Sequence, residues 1–132
     1  MSTFHTINAV QTIMRMVNLF PPHLHDEIRA QLSMILKGTI SLRLLPRSDG
    51  KGRVPAYETM IVTPTIARLI RENRIREIQN YIDDGELFGM QSFKKSLVAL
   101  VKRGIVDEQV AWKYADSKDD FILELRGIKR NA

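Results

Sequence analysis

The stretch Thr39-Ile40-Ser41-Leu42-Arg43-Leu44-Leu45-Pro46-Arg47-Ser48-Asp49-Gly50-Lys51-Gly52-Arg53-Val54-Pro55-Ala56-Tyr57-Glu58-Thr59-Met60-Ile61-Val62 decides the fold class. From Thr39 to Leu45 the residues alternate, with Ile40, Leu42 and Leu44 on one face and Ser41 and Arg43 on the other, which is the period of a strand. A second alternating run covers Val54 to Val62. Between them Ser48-Asp49-Gly50 and Lys51-Gly52 supply turn residues, so the stretch reads as a β-hairpin with a basic loop.

On both sides of the hairpin the period changes to three and four. Thr6 is placed to cap a helix carrying Ile7, Val10, Ile13, Met14 and Val17, and Phe20-Pro21-Pro22 stops it. Leu24, Ile28, Leu32, Ile35 and Leu36 form the stripe of a second helix. After the hairpin, Thr63-Pro64 is a helix start, followed by the apolar positions Ile66, Leu69 and Ile70. Ile75, Ile78 and Ile82 belong to a further helix, ended by Asp83-Asp84-Gly85. Phe93, Leu97, Leu100 and Val101 mark another with Gly104 as its stop, and Asp107 opens one through Val110, Ala111 and Tyr114. From Asp119 the residues alternate again at Phe121, Leu123 and Leu125, and the last four are expected to fray. The expected division is a mixed α/β part over 1–62, a helical part over 63–118 and a tail over 119–132.

The chain has 132 residues, 44% of them hydrophobic, with 20 Lys+Arg against 15 Asp+Glu, a formal net charge of +5 and no cysteine. That composition is globular and excludes a disulfide framework and any thiolate zinc site. The longest apolar run, Leu97 to Val101, is far short of the roughly 20 residues of a membrane span. No signal-peptide pattern opens the chain, so the cytoplasm is the expected location.

Chemistry-bearing groups are sparse. His23 and His25 are two residues apart at a helix start, where their side chains diverge, so no metal site is expected. No Gly-x-x-x-x-Gly-Lys-Ser/Thr phosphate loop occurs, and no Ser-His-Asp or Cys-His set has motif support. Arg43, Arg47, Lys51 and Arg53 on the hairpin, with Arg68, Arg71, Arg74 and Arg76 on the helices, could face phosphates, or form a solvated face with ion pairs between subunits to Glu72, Glu77, Asp83 and Asp84. A stand-alone basic module for nucleic acid or a protein partner is therefore the alternative function.

Four strings carry a resemblance: Leu44-Leu45-Pro46-Arg47, Gly50-Lys51-Gly52-Arg53-Val54, Thr65-Ile66-Ala67-Arg68-Leu69-Ile70-Arg71-Glu72, and Gly89-Met90-Gln91 before Leu97. Together with Thr3-Phe4-His5-Thr6 and Phe20-Pro21-Pro22, they resemble, in order, the carboxyl-terminal part of type IV pilus retraction motors of the PilT type. The resemblance implies an α/β fold: the carboxyl-terminal part of a RecA-like P-loop ATPase core, helices plus a β-hairpin, followed by a small all-helical bundle. It implies a fragment of a hexameric twitching-motility ATPase of the type II/IV secretion superfamily, working with the pilus inner-membrane platform and peripheral to that membrane, with no nucleic-acid partner. ATP and Mg are implied for the intact protein and no cofactor for this chain, which lacks the phosphate loop and should not turn over ATP alone.

The resemblance also assigns residues. His5, with Thr6, matches the end of the family's histidine box near the nucleotide phosphates. Thr65, Ile66, Leu69, Ile70, Arg71 and Glu72 match the helix needed for retraction, although Ala67 and Arg68 replace the usual Arg and Asn, which leaves room for an accessory motor of the PilU kind. Arg68, Arg71 and Arg74 are expected at subunit contacts. Assembly motors of the superfamily carry a tetracysteine zinc loop near the place of the Arg47–Arg53 turn, and the absence of cysteine favours the retraction branch.

Overall fold

Local capping fixes where most helices begin. The computed structural model describes residues 8–127. Helices α1 (Ala9–Asn18), α2 (His25–Ile35), α3 (Pro64–Arg71), α4 (Ile78–Asp83), α5 (Phe93–Lys102), α6 (Glu108–Tyr114) and α7 (Lys118–Leu125) flank one hairpin of β1 (Gly38–Pro46) and β2 (Arg53–Ile61). Asn8 Oδ1 accepts from the Gln11 amide at 2.9 Å, Thr63 Oγ1 from Ile66, Ser92 Oγ from Lys95 and Ser117 Oγ from Asp120. Each bond satisfies an amide that the first helical turn leaves free. The cap of α1 is thus Asn8, while Thr6 lies outside the described residues.

The two strands have nine residues each, and their ladder is closed at both ends. The Arg47 amide donates to the Gly52 carbonyl at 3.0 Å and the Val62 amide to the Lys37 carbonyl at 2.9 Å. That register sets Leu42 opposite Tyr57 and Arg43 opposite Ala56 without a bulge. It buries Arg43, Leu45, Ala56, Glu58 and Met60, and exposes Ile40, Leu42, Leu44 and Tyr57. The more apolar face of β1 therefore looks outward.

The described residues form two compact units that interleave along the sequence. One comprises residues 8–41 and Thr59–Gln91. Its core is Ala9, Ile13, Met60, Ile66, Leu69, Ile70, Ile75, Ile78, Ile82 and Met90, and α2 packs on α3. The stripe expected on the second helix ends early. Ile35 is exposed and Leu36 already extended, because the last turn of α2 buries Ser33 instead, whose hydroxyl donates to the Ala30 carbonyl.

The other unit comprises Leu42–Glu58 and residues 92–127, with Leu45, Ala56, Phe93, Leu97, Val98, Leu100, Val106, Ala111 and Phe121 as its core. Here α5 packs on α7. The alternation read at Phe121, Leu123 and Leu125 is not a strand, since this segment is the helix α7. The Ser117 cap, Asp119 and Asp120 at the positive end of the helix dipole, and burial of Phe121 outweigh the period-two pattern. The final residues expected to fray lie outside the described range.

Two glycines admit no side chain. A Cβ on Gly38 would lie 2.5 Å from the Met60 carbonyl oxygen, and one on Gly85 2.8 Å from both the Tyr81 carbonyl oxygen and Met90 Cβ. Gly38→Ala and Gly85→Ala should each lower unfolding free energy by about 1–3 kcal/mol, as measured by chemical denaturation.

Candidate functional site

Helix α3 and the turn after it carry the segment singled out in the sequence. Thr63 caps the helix and Pro64 occupies its first turn, where a missing amide hydrogen costs no bond. Ile66, Leu69 and Ile70 are fully buried, Thr65 is half-buried, and Arg68, Arg71 and Glu72 are exposed. The segment thus separates into an apolar stripe that seats the helix and a polar rim open to solvent.

The turn after α3 shapes that rim. Asn73 adopts a left-handed conformation, φ 59°, which Asn tolerates better than most residues. This lets the Asn73 amide donate to Ile70 and the Arg74 amide to Leu69 at 2.8 Å, satisfying carbonyls that the helix end leaves open. Arg74 then folds back. Its Nε and Nη2 meet the two carboxylate oxygens of Glu77 at 2.7 Å each, and Nη1 reaches Glu72 at 3.3 Å.

This fork holds the Glu77 carboxyl below the usual glutamate range and raises the pKa of Arg74. Arg74 therefore pairs with Glu72 and Glu77 of its own chain. Among the described residues Arg68 and Arg71 make no ion pair, so α3 presents two open guanidinium groups.

The other basic cluster is split by the fold. Arg43 is buried: its guanidinium donates to the Tyr114 carbonyl at 2.6 Å and to Asp116 at 2.7 Å, and stacks 3.8 Å from the centroid of Phe93. It belongs to the interior, not to the basic hairpin surface. At the tip, Asp49 accepts from the Lys51 amide and from Arg47, which keeps its carboxyl below the ordinary range. Sequence reading missed Asp116, Tyr114 and Ser96, whose hydroxyl accepts from the Tyr57 amide, because these partners lie 39 to 73 residues away along the chain.

Of the histidines, His25 contacts the Phe20 carbonyl through Nε2 at 2.7 Å and so closes the turn between α1 and α2. His5 and Thr6 lie outside the described residues. No helix among the described residues is long and apolar enough to cross a membrane.

No protein-family model matches the sequence. Individual proteins do. Over 117 residues, 89% of this chain, it is 37% identical to a twitching motility protein of Neisseria gonorrhoeae. Over 126 residues, 96% of the chain, it is 32% identical to the type IV pilus ATPase PilU of Pseudomonas aeruginosa. It also superimposes on a crystal structure of the pilus retraction motor PilT with bound ADP, with a TM-score of 0.74 and 35% identity over 85% of the chain.

This chain is a homologue of the carboxyl-terminal region of the type IV pilus retraction ATPases. It spans about a third of the length of these relatives: 31% of the Neisseria protein, 33% of PilU and 31% of the PilT chain. The helices and the hairpin of the described residues are the mixed α/β arrangement of that part of the retraction ATPases.

The depressed carboxyl of Glu77 gives a signed expectation. The charged form is favoured in the folded chain, so its contribution to stability is complete above the ordinary glutamate pKa of about 4.3 and is lost as pH falls through the folded value. Carboxyl-carbon NMR titration should place Glu77 below an ordinary glutamate, and Arg74→Met should move it back up. An unchanged titration in that variant would mean the fork does not hold the charge.

Proposed function

We propose that this chain is the carboxyl-terminal portion of a hexameric, ATP-driven motor for type IV pilus retraction, in which it contributes subunit contacts and the periphery of the nucleotide site. The observation that carries this reading is a match to twitching-motility and PilU proteins over nearly the whole chain, joined to the superposition on PilT. In this reading residues 1–62 belong to the ATPase core, 63–118 to a helical subdomain and 119–132 to its tail. His5 and Thr6 border the nucleotide. Arg68 and Arg71, open on α3, meet a neighbouring subunit, and Thr65 and Glu72 complete the polar rim of the retraction helix. Arg74 contributes by holding the turn after α3 through Glu72 and Glu77.

The Arg47–Arg53 turn is not arranged as a phosphate cradle. Gly50 and Gly52 lie in a hairpin turn, and the amide and guanidinium donors there already hold the carboxylate of Asp49. A phosphate cradle needs free amides, commonly at a helix N-terminus. In the proposed motor, ATP and Mg are held by other parts of the intact protein, which sits in the cytoplasm against the pilus platform at the inner membrane.

Placing Arg68→Glu and Arg71→Glu in the intact motor tests the reading. Twitching motility should be lost while the helical circular dichroism spectrum and melting temperature stay close to wild type, because both side chains are exposed. Normal motility and normal assembly in the double variant would refute the role of α3. The isolated chain should show no submicromolar ATP binding by calorimetry.

A further inference from the structure

The turn after α3 decides which carboxylate meets which guanidinium on that helix. The Glu72 amide donates to the Arg68 carbonyl at 2.9 Å, so the helical turn continues as far as Glu72 and sets it one turn from Arg68. Residues four apart on a helix are neighbours, and an arginine and a glutamate at that spacing pair with each other. Glu72 also stands at the negative end of the helix dipole, where a carboxylate is disfavoured unless a cation meets it. Two cations therefore compete for Glu72: Arg68 in the helix and Arg74 in the turn.

The structure gives Glu72 to Arg74. Nη1 of Arg74 donates to Glu72 Oε1 at 3.3 Å, while Nε and Nη2 are both engaged by Glu77 at 2.7 Å. Two parallel bonds to Glu77 fix the plane of the guanidinium, which a single bond does not. Both ends of the fork stand on a held backbone. The Arg74 amide is tied to Leu69 at 2.8 Å and the Glu77 amide to the Arg74 carbonyl at 3.1 Å, and Ile75 and Ile78 are buried. Arg68 and Arg71 are left exposed, with no ion pair among the described residues. An exposed fork adds little to global stability, so its consequence lies in the layout of charge along the helix.

We propose that Arg74 is a positioning residue for α3: by engaging Glu72 and Glu77 together it keeps Glu72 off Arg68, so that Arg68 and Arg71 are both presented unpaired to carboxylate groups of the neighbouring subunit. The inference rests on the subunit-contact reading of α3 given above and adds what keeps that contact open. Arg71 is one residue from Glu72, and adjacent helical residues do not face each other, so Arg68 is the group that Arg74 protects. Without Arg74 the four-residue spacing turns Glu72 back onto Arg68, and one of the two guanidinium groups is lost to the contact.

Nitrogen-15 NMR of the arginine side chains in the whole chain tests the pairing. In the wild type the Arg74 guanidinium should rotate slowly about its Nε–Cζ bond, and those of Arg68 and Arg71 rapidly. Arg74→Met should slow Arg68 by about twofold, the size expected of a pair four residues apart, and leave Arg71 rapid. Adding Glu72→Gln should return Arg68 to its wild-type rate. Arg74→Lys keeps the stem and the charge but cannot hold both carboxylates in one plane. It should shift Arg68 in the same direction by less, and it covers the case in which methionine disturbs the turn. In the intact motor, Arg74→Met should lower twitching velocity by about twofold with the melting temperature close to wild type, and Arg74→Met with Glu72→Gln should recover most of the loss.

An Arg68 guanidinium indifferent to both Arg74 variants overturns the proposal. So does unchanged motility in the Arg74→Met motor, and so does a loss that Glu72→Gln does not recover, since Arg74 would then only hold the turn. Normal motility in the Arg68 and Arg71 variant instead overturns the subunit-contact reading itself.

Discussion

The buried guanidinium of Arg43 governs how the hairpin presents itself. In a strand a one-residue slip turns every side chain to the opposite face, so whichever residue must be inside selects the face. Arg43 must be inside: it forks onto the Tyr114 carbonyl and Asp116 and covers the ring of Phe93. Leu45, Ala56 and Glu58 follow it inward, while Leu42, Leu44 and Tyr57 are left outside. A long side chain can bury its apolar stem and still satisfy its charged head, which is how an arginine takes a core position here.

That choice separates two kinds of basic residue that look alike in sequence. Arg43 and Arg74 act within the chain, one as an interior strut and the other as the clasp on the turn after α3. Arg68 and Arg71 on α3, and Lys51 and Arg53 at the hairpin tip, remain on the surface. The net positive charge is therefore divided between groups that hold the fold and groups left exposed on the surface. Exposed pairs such as Arg74 with Glu77 add little to global stability, so the clasp is better understood as fixing the local path of the chain.

The candidate site has the same division. Its apolar residues, Ile66, Leu69 and Ile70, give α3 a single seating in the core, and the arginines on the opposite side inherit their direction from it. A helix of eight residues has little stability alone, so packing rather than propensity keeps these side chains in place. Thr63, Pro64 and Asn73 mark the two ends of the helix, and the rim between them is short and well defined.

Legible in the sequence alone were the helix start at Thr63-Pro64, the hairpin, the apolar stripe of α3 and the resemblance to retraction ATPases. These depend on bonds and periods within a few residues of one another. Packing between remote segments is what turns the apolar side of β1 outward, takes Arg43 inside, makes a helix of the segment after Ser117 and interleaves two units along the chain. Each of these depends on partners remote in sequence, such as Asp116 for Arg43 and α5 for α7. Alternation and charge fix which residues share a face; the packing of distant elements fixes which face is buried.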